Sequence, residues 1–136
     1  MKIFTEIVHY AWAAMGGFVG WFLGGFGGFL YALLVFVIID YLTGIMVAIL
    51  EKKLSSEVGF RGIFKKILIF CLVAIGHIVD TQVIQDGSVL RTAIIFFYLS
   101  NEGISILENV ALIGLPVPDK LKEVLQQLRD EKNESR

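Results

Sequence analysis

The chain has 136 residues, 56% of them hydrophobic and 18% charged, against roughly 25% charge in an average soluble domain. Its length suits one domain. Ten of the 25 charged residues fall in the last 18 positions and seven in residues 51–66, leaving eight across the other 102: Lys2, Glu6, Asp40, Asp80, Asp86, Arg91, Glu102 and Glu108. So few polar groups cannot tile a water-exposed surface, which excludes an ordinary soluble enzyme. The expected class is an all-α integral membrane protein.

Residues 7–50 carry one charge, Asp40. As one straight helix this run would be about 66 Å long, roughly twice the hydrocarbon thickness of a bilayer. It is therefore expected to break, and the clustered glycines at Gly24-Gly25-Phe26-Gly27-Gly28 are the place. This predicts a glycine-interrupted first pass over 6–23 and a Leu-, Ile- and Val-rich second pass over 29–50. Ala11-Trp12-Ala13 has the small residues of a signal-peptide cleavage site, but the apolar run follows it instead of preceding it, so no cleavage is expected. Gly16, Gly20, Gly24 and Gly28 recur every fourth position. Such spacing allows either close helix packing and self-association or a bend.

Residues 51–66 hold five basic side chains, Lys52, Lys53, Arg61, Lys65 and Lys66, against two acidic ones, and read as a topology-setting cytoplasmic loop. Ser55 or Ser56 can cap a short helix there, with Glu57 in its first turn. A third pass is expected over 64–84, where Cys71, the one cysteine, reads as a packed thiol. His77 and Asp80 share a face near its end. A turn at Gln85-Asp86-Gly87-Ser88 leads to a fourth pass over 89–115, ended by Gly114 and Pro116. Residues 1–118 then form the transmembrane domain, with four passes favoured over three. The charged tail, 119–136, has Leu121, Val124, Leu125 and Leu128 on one side of a short cytoplasmic amphipathic helix.

At 100° per residue, Arg91, Tyr98, Glu102, Ser105 and Asn109 share a stripe about 60° wide on the fourth pass. The opposite face is apolar. Ionisable groups are costly in lipid, so this stripe must face other helices or water, as an interior seam or as the wall of an aqueous lesion. Asp40, with Thr43 one turn on, and the pair His77 and Asp80 read as interhelical hydrogen-bonding groups or as a proton relay. No catalytic constellation, metal-ligand set or cofactor motif is present in the sequence. The formal net charge of −1 leaves no basic footprint for nucleic acid.

Asp40-Tyr41-Leu42-Thr43-Gly44 precedes a Lys-Lys-Leu-Ser-Ser-x-x-Gly-Phe-x-Gly-Ile-x-Lys-Lys segment spanning 52–66, and His77-Ile78-Val79-Asp80 follows. Farther on stand Phe97-Tyr98-Leu99-Ser100-Asn101-Glu102-Gly103-Ile104-Ser105-Ile106-Leu107-Glu108-Asn109 and Gly114-Leu115-Pro116-Val117-Pro118. In this order, over about 24–128, the segments resemble the bacteriophage holin family that includes toxin-secretion and phage-lysis holins. Relatives often carry an acidic residue where this chain has Gly27. The resemblance implies a protein that accumulates in the host bacterial cytoplasmic membrane, forms homo-oligomers in the lipid bilayer, and opens lesions late in infection. An endolysin or toxin would then pass without needing to bind it. A proton-coupled transporter subunit using Asp40 or Glu102 is the competing class, although the halves show no internal repeat. An antiholin-like regulator would share the same sequence pattern, and a membrane-embedded hydrolase would lack its nucleophile and base.

Overall fold

The computed structural model describes residues 1–25 and 27–134, with side chains through Gln127. Five α-helices follow one another: α1 Lys2–Phe22, α2 Gly28–Leu50, α3 Ser56–Ile78, α4 Val89–Ile113 and α5 Asp119–Glu134. A π-helical stretch, Val79–Ile84, extends α3. No strand occurs among the described residues.

The break between α1 and α2 falls where the glycines were expected to put it. Gly24 and Gly25 have φ of 92° and 96°, a left-handed backbone that glycine enters without the clash of a Cβ atom. The segment 51–66 behaves differently from the expected loop. Ser55 accepts a hydrogen bond from Val58 N at 3.2 Å, with Glu57 in the first turn. This cap opens the full length of α3, so Arg61, Lys65 and Lys66 are helical and only residues 51–55 lie between α2 and α3. At the other end of the bundle, α4 stops at Gly114, whose φ is 108°, and Pro116 and Pro118 follow before α5.

Among the described residues, three helical segments are long and apolar enough to cross a membrane: Gly28–Leu50, Ser56–Ile84 and Val89–Ile113. The expected first pass over 6–23 coincides with α1 up to its C-cap Leu23, and α1 is not one of them. Glu6, His9, two tryptophans and three glycines dilute its apolar residues. Gly20 is the buried residue of α1, while Phe4, Trp12, Phe18 and Trp21 are exposed.

The core joins Leu23, Leu30, Leu33 and Val37 to Ile69, Val73 and Ala74 of α3 and Ile95 of α4, with Phe70, Ile94, Tyr98 and Leu99 packed against it. Helix α4 is the centre of the bundle, lying along both α2 and α3, which meet each other less extensively. The tail helix is not free. It folds back along α4 and buries Leu125. Leu128 of the expected apolar side lies outside the described side chains.

Candidate functional site

Midway along the bundle, three charged side chains from three helices converge. Lys66 of α3 donates from Nζ to Asp40 Oδ2 of α2 and, at 2.5 Å, to Glu102 Oε2 of α4. The side chains of Asp40 and Glu102 are 8% and 9% exposed, and that of Lys66 is 18% exposed. Asn109 of α4 extends the cluster. Its Nδ2 donates to Asp40 Oδ1 and to Thr43 Oγ1, both at 3.0 Å. Thr43 itself donates to Ile39 O at 2.8 Å. Ser105 lines the same cleft of about 230 Å³ with Asp40, Lys66 and Asn109. On the other flank, the Lys66 stem runs beside Ile63, Ile67 and Phe70, an apolar body under a charged tip.

Each partner is needed by the others. An isolated charge at the bilayer centre costs about 2.5–3.5 kcal/mol on insertion scales, and low local dielectric strengthens attraction between the charges that do meet. Two carboxylates and one ammonium sealed together therefore tie α2, α3 and α4 at their middles. These ties run between side chains, with one longer contact from Asn109 Nδ2 to Asp40 O at 3.4 Å, so the helices can part here without losing a hydrogen bond of their own backbone ladders.

A second polar cluster lies at one end of the bundle. Asp80 is 1% exposed and accepts from the first-turn amides of α4, Leu90 N at 3.1 Å and Arg91 N at 2.9 Å. A carboxylate there satisfies amides that have no partner within the helix and faces the positive end of the helix dipole. The Arg91 side chain donates from Nε to Leu23 O and from Nη2 to Gly25 O, both at 2.6 Å. A β-carbon on Gly24 would stand 2.6 Å from both Arg91 Nε and His77 Nδ1. Arg91 and His77 thus enclose the turn that separates α1 from α2.

The structure consequently divides the expected polar stripe of α4. Glu102, Ser105 and Asn109 face the Lys66 cluster, Tyr98 packs against the core, and Arg91 serves the α1–α2 turn. His77 and Asp80 belong to this second cluster, apart from Asp40. The basic residues also separate. Lys52 and Lys53 lie between α2 and α3, Arg61 pairs with Glu57 at 3.1 Å, Lys65 is exposed and Lys66 turns inward. Lys66 had a legible signal, because Lys66, Ile69, Val73, Gly76 and Asp80 follow at helical spacings of three and four. Gly16 and Gly20 lie on α1, but Gly24 is in the turn and Gly28 opens α2, so the four do not form one helical stripe. Cys71 is exposed on the outer face of α3, beside an apolar cleft, and is not the packed thiol expected.

The bacteriophage holin family profile matches residues 17–130. The chain belongs to the bacteriophage holin family. It is 39% identical to an uncharacterized 14.9 kDa protein from the nagH 3′ region of Clostridium perfringens, over 97% of this chain and all of that protein. It is 41% identical to the uncharacterized protein YqxH of Bacillus subtilis, over 82% of this chain and 80% of the relative. A probable holin of Bacillus phage phi105 is 37% identical over 78% of this chain and 80% of its own length. No solved structure matches this holin-family chain. Family membership together with three apolar helices points to a membrane protein with a holin-like, non-enzymatic role.

Proposed function

We propose that this chain is a holin that assembles in the bacterial cytoplasmic membrane and opens lesions through which an endolysin or toxin leaves the cell. The observation that carries the reading is the Asp40–Lys66–Glu102 cluster, a charged seam closed midway along three helices that are long and apolar enough to cross a membrane. In a single bundle the seam has its own partners and does not meet lipid. When α4 separates from α2 and α3, Glu102, Ser105 and Asn109 lose those partners and require water. Many copies opening together supply that water by enclosing a lumen, whereas one copy opening alone would place charges in lipid at high cost. Assembly and opening are thereby coupled, which suits delayed and abrupt release.

In this reading Gly16, exposed on α1, provides close-approach surface between copies. Lys52, Lys53, Arg61 and Lys65 hold the end of the bundle around 51–65 in the cytoplasm, and α4 delivers the tail to the same side. The test places single cysteines at Glu102, Ser105 and Asn109, and at Ala111 on the opposite face, in a Cys71→Ser background, and uses a membrane-impermeant thiol reagent. The expected result is protection before triggering and labelling afterwards at the first three positions only. Uniform labelling of every face, before and after, would overturn the proposal. Membrane potential and release of a co-expressed endolysin, followed together, separate a holin from an antiholin or transporter. Abrupt collapse with release is the holin outcome.

A further inference from the structure

The face of α4 that turns away from the charged seam is covered by the chain's own tail. Ile104, Leu107 and Ala111 lie on the arc opposite Arg91, Ser105 and Asn109. With Glu108 they form a cleft of about 240 Å³ closed by Lys122 and Gln126 of α5. Leu125 is 7% exposed and is seated over Gly103. A β-carbon on Gly103 would lie 3.0 Å from Leu125 Cδ2 and 3.1 Å from Phe36 Cε2, so the missing side chain makes the seat.

This seat is deep. Ile113 ends α4 ten residues beyond Gly103, about 15 Å along the axis, which is half of a hydrocarbon layer about 30 Å thick. Helix α5 carries nine charged residues among its 16 and continues past Leu125 for nine more positions. A helix of that composition cannot lie at mid-bilayer depth against lipid. Helix α4 is also the least apolar of the three candidate spans, so its apolar back is the part of it that lipid would hold best. One face therefore has two incompatible coverings.

We infer that α5 and the hydrocarbon of the bilayer compete for the back of α4, so that insertion of α4 expels the tail and a docked tail holds α4 out of the lipid. The inference rests on α4 being a span, not on lesion formation. Leu125 is the plug, Gly103 its socket, and the segment 114–118, with a glycine and two prolines, the joint on which α5 swings. The tail then acts as a built-in delay on the last span.

The experiment uses the full chain with Cys71→Ser, Leu107→Cys and Gln126→Cys, synthesised without lipid and then mixed with phosphatidylethanolamine–phosphatidylglycerol vesicles. A short bis-thiol cross-linker reads docking, and an impermeant maleimide reads the exposure of position 107. The expected result is intramolecular cross-linking before vesicles are added, and its loss afterwards as position 107 becomes shielded. Leu125→Asp should abolish the lipid-free cross-link, whereas Val124→Asp, at an exposed position of the same helix, should retain it. Chains cross-linked beforehand should fail to shield position 107. No cross-link without lipid, or a cross-link retained in vesicles with position 107 shielded, would overturn the competition. Cross-linking between copies through Leu107→Cys would also overturn it, by giving the face to a second copy. A retained cross-link with position 107 still labelled would overturn the assignment of α4 as a span, and the competition with it.

Discussion

The two polar clusters use similar residues in opposite ways. At mid-bundle, Asp40, Lys66 and Glu102 satisfy one another through side chains drawn from three helices. At the end of the bundle, Asp80 and Arg91 bond to main-chain groups: two amides of α4 and two carbonyls of the α1–α2 turn. The second cluster cannot be undone without exposing a helix terminus and a turn. The first can be undone with every helix intact, provided that water replaces the lost partners. A bundle that must hold together and later open needs both kinds of contact.

The largest expected effect comes from breaking the mid-bundle cluster on one side. Lys66→Met leaves two carboxylates unpaired and should destabilise the bundle by about 3–5 kcal/mol, the range for removing one partner of a buried ion pair. Thermal unfolding in detergent micelles measures this. Combining it with Asp40→Asn and Glu102→Gln should restore most of the stability, because no buried charge is then left alone. The restored protein should nevertheless have altered timing of release if the seam is the part that opens.

Next in size is Gly24→Ala. At φ of 92° a non-glycine residue stores about 1–3 kcal/mol of strain, and its β-carbon would press on Arg91 and His77. Chemical denaturation should show the loss. Thiol labelling at position 102 should stay unchanged, because the perturbation belongs to the other cluster. Asp80→Ala removes a helix cap and should cost about 1–2 kcal/mol, with faster hydrogen exchange at the amides of residues 90 and 91. The smallest effect is expected for Asn109→Ala, about 1 kcal/mol for lost hydrogen bonds to Asp40 and Thr43. It should advance labelling at position 105 without changing exchange at residues 90 and 91.

Features governed by near neighbours were legible in the sequence. The glycine break after Leu23, a capping serine at Ser55 or Ser56 with Glu57 behind it and the stop at Gly114 all act within a turn or two. Of the tail's expected apolar side, Leu125 is buried whereas Leu121 and Val124 are exposed. The inward stripe of Glu102, Ser105 and Asn109 was legible as well, since helical periodicity alone puts these residues on one face. Lys66 was hidden by its company. It closes a run of basic residues that reads as a loop, and only extending the helix back to Ser56 places it in register with Ile69, Val73, Gly76 and Asp80.

Composition and periodicity were sufficient for an α-helical membrane protein, for the turn before α2 and for a polar face on α4, because each depends on local backbone preference or on the cost of polar groups in lipid. Which groups meet across that face depended on tertiary packing. Asp40, Lys66 and Glu102 are far apart in the chain, and helical register can turn Lys66 inward without saying which carboxylates it will meet. The seat of Leu125 on Gly103 is of the same kind. A missing side chain on one helix and an apolar one on another become a contact only when the chain folds back and brings them together.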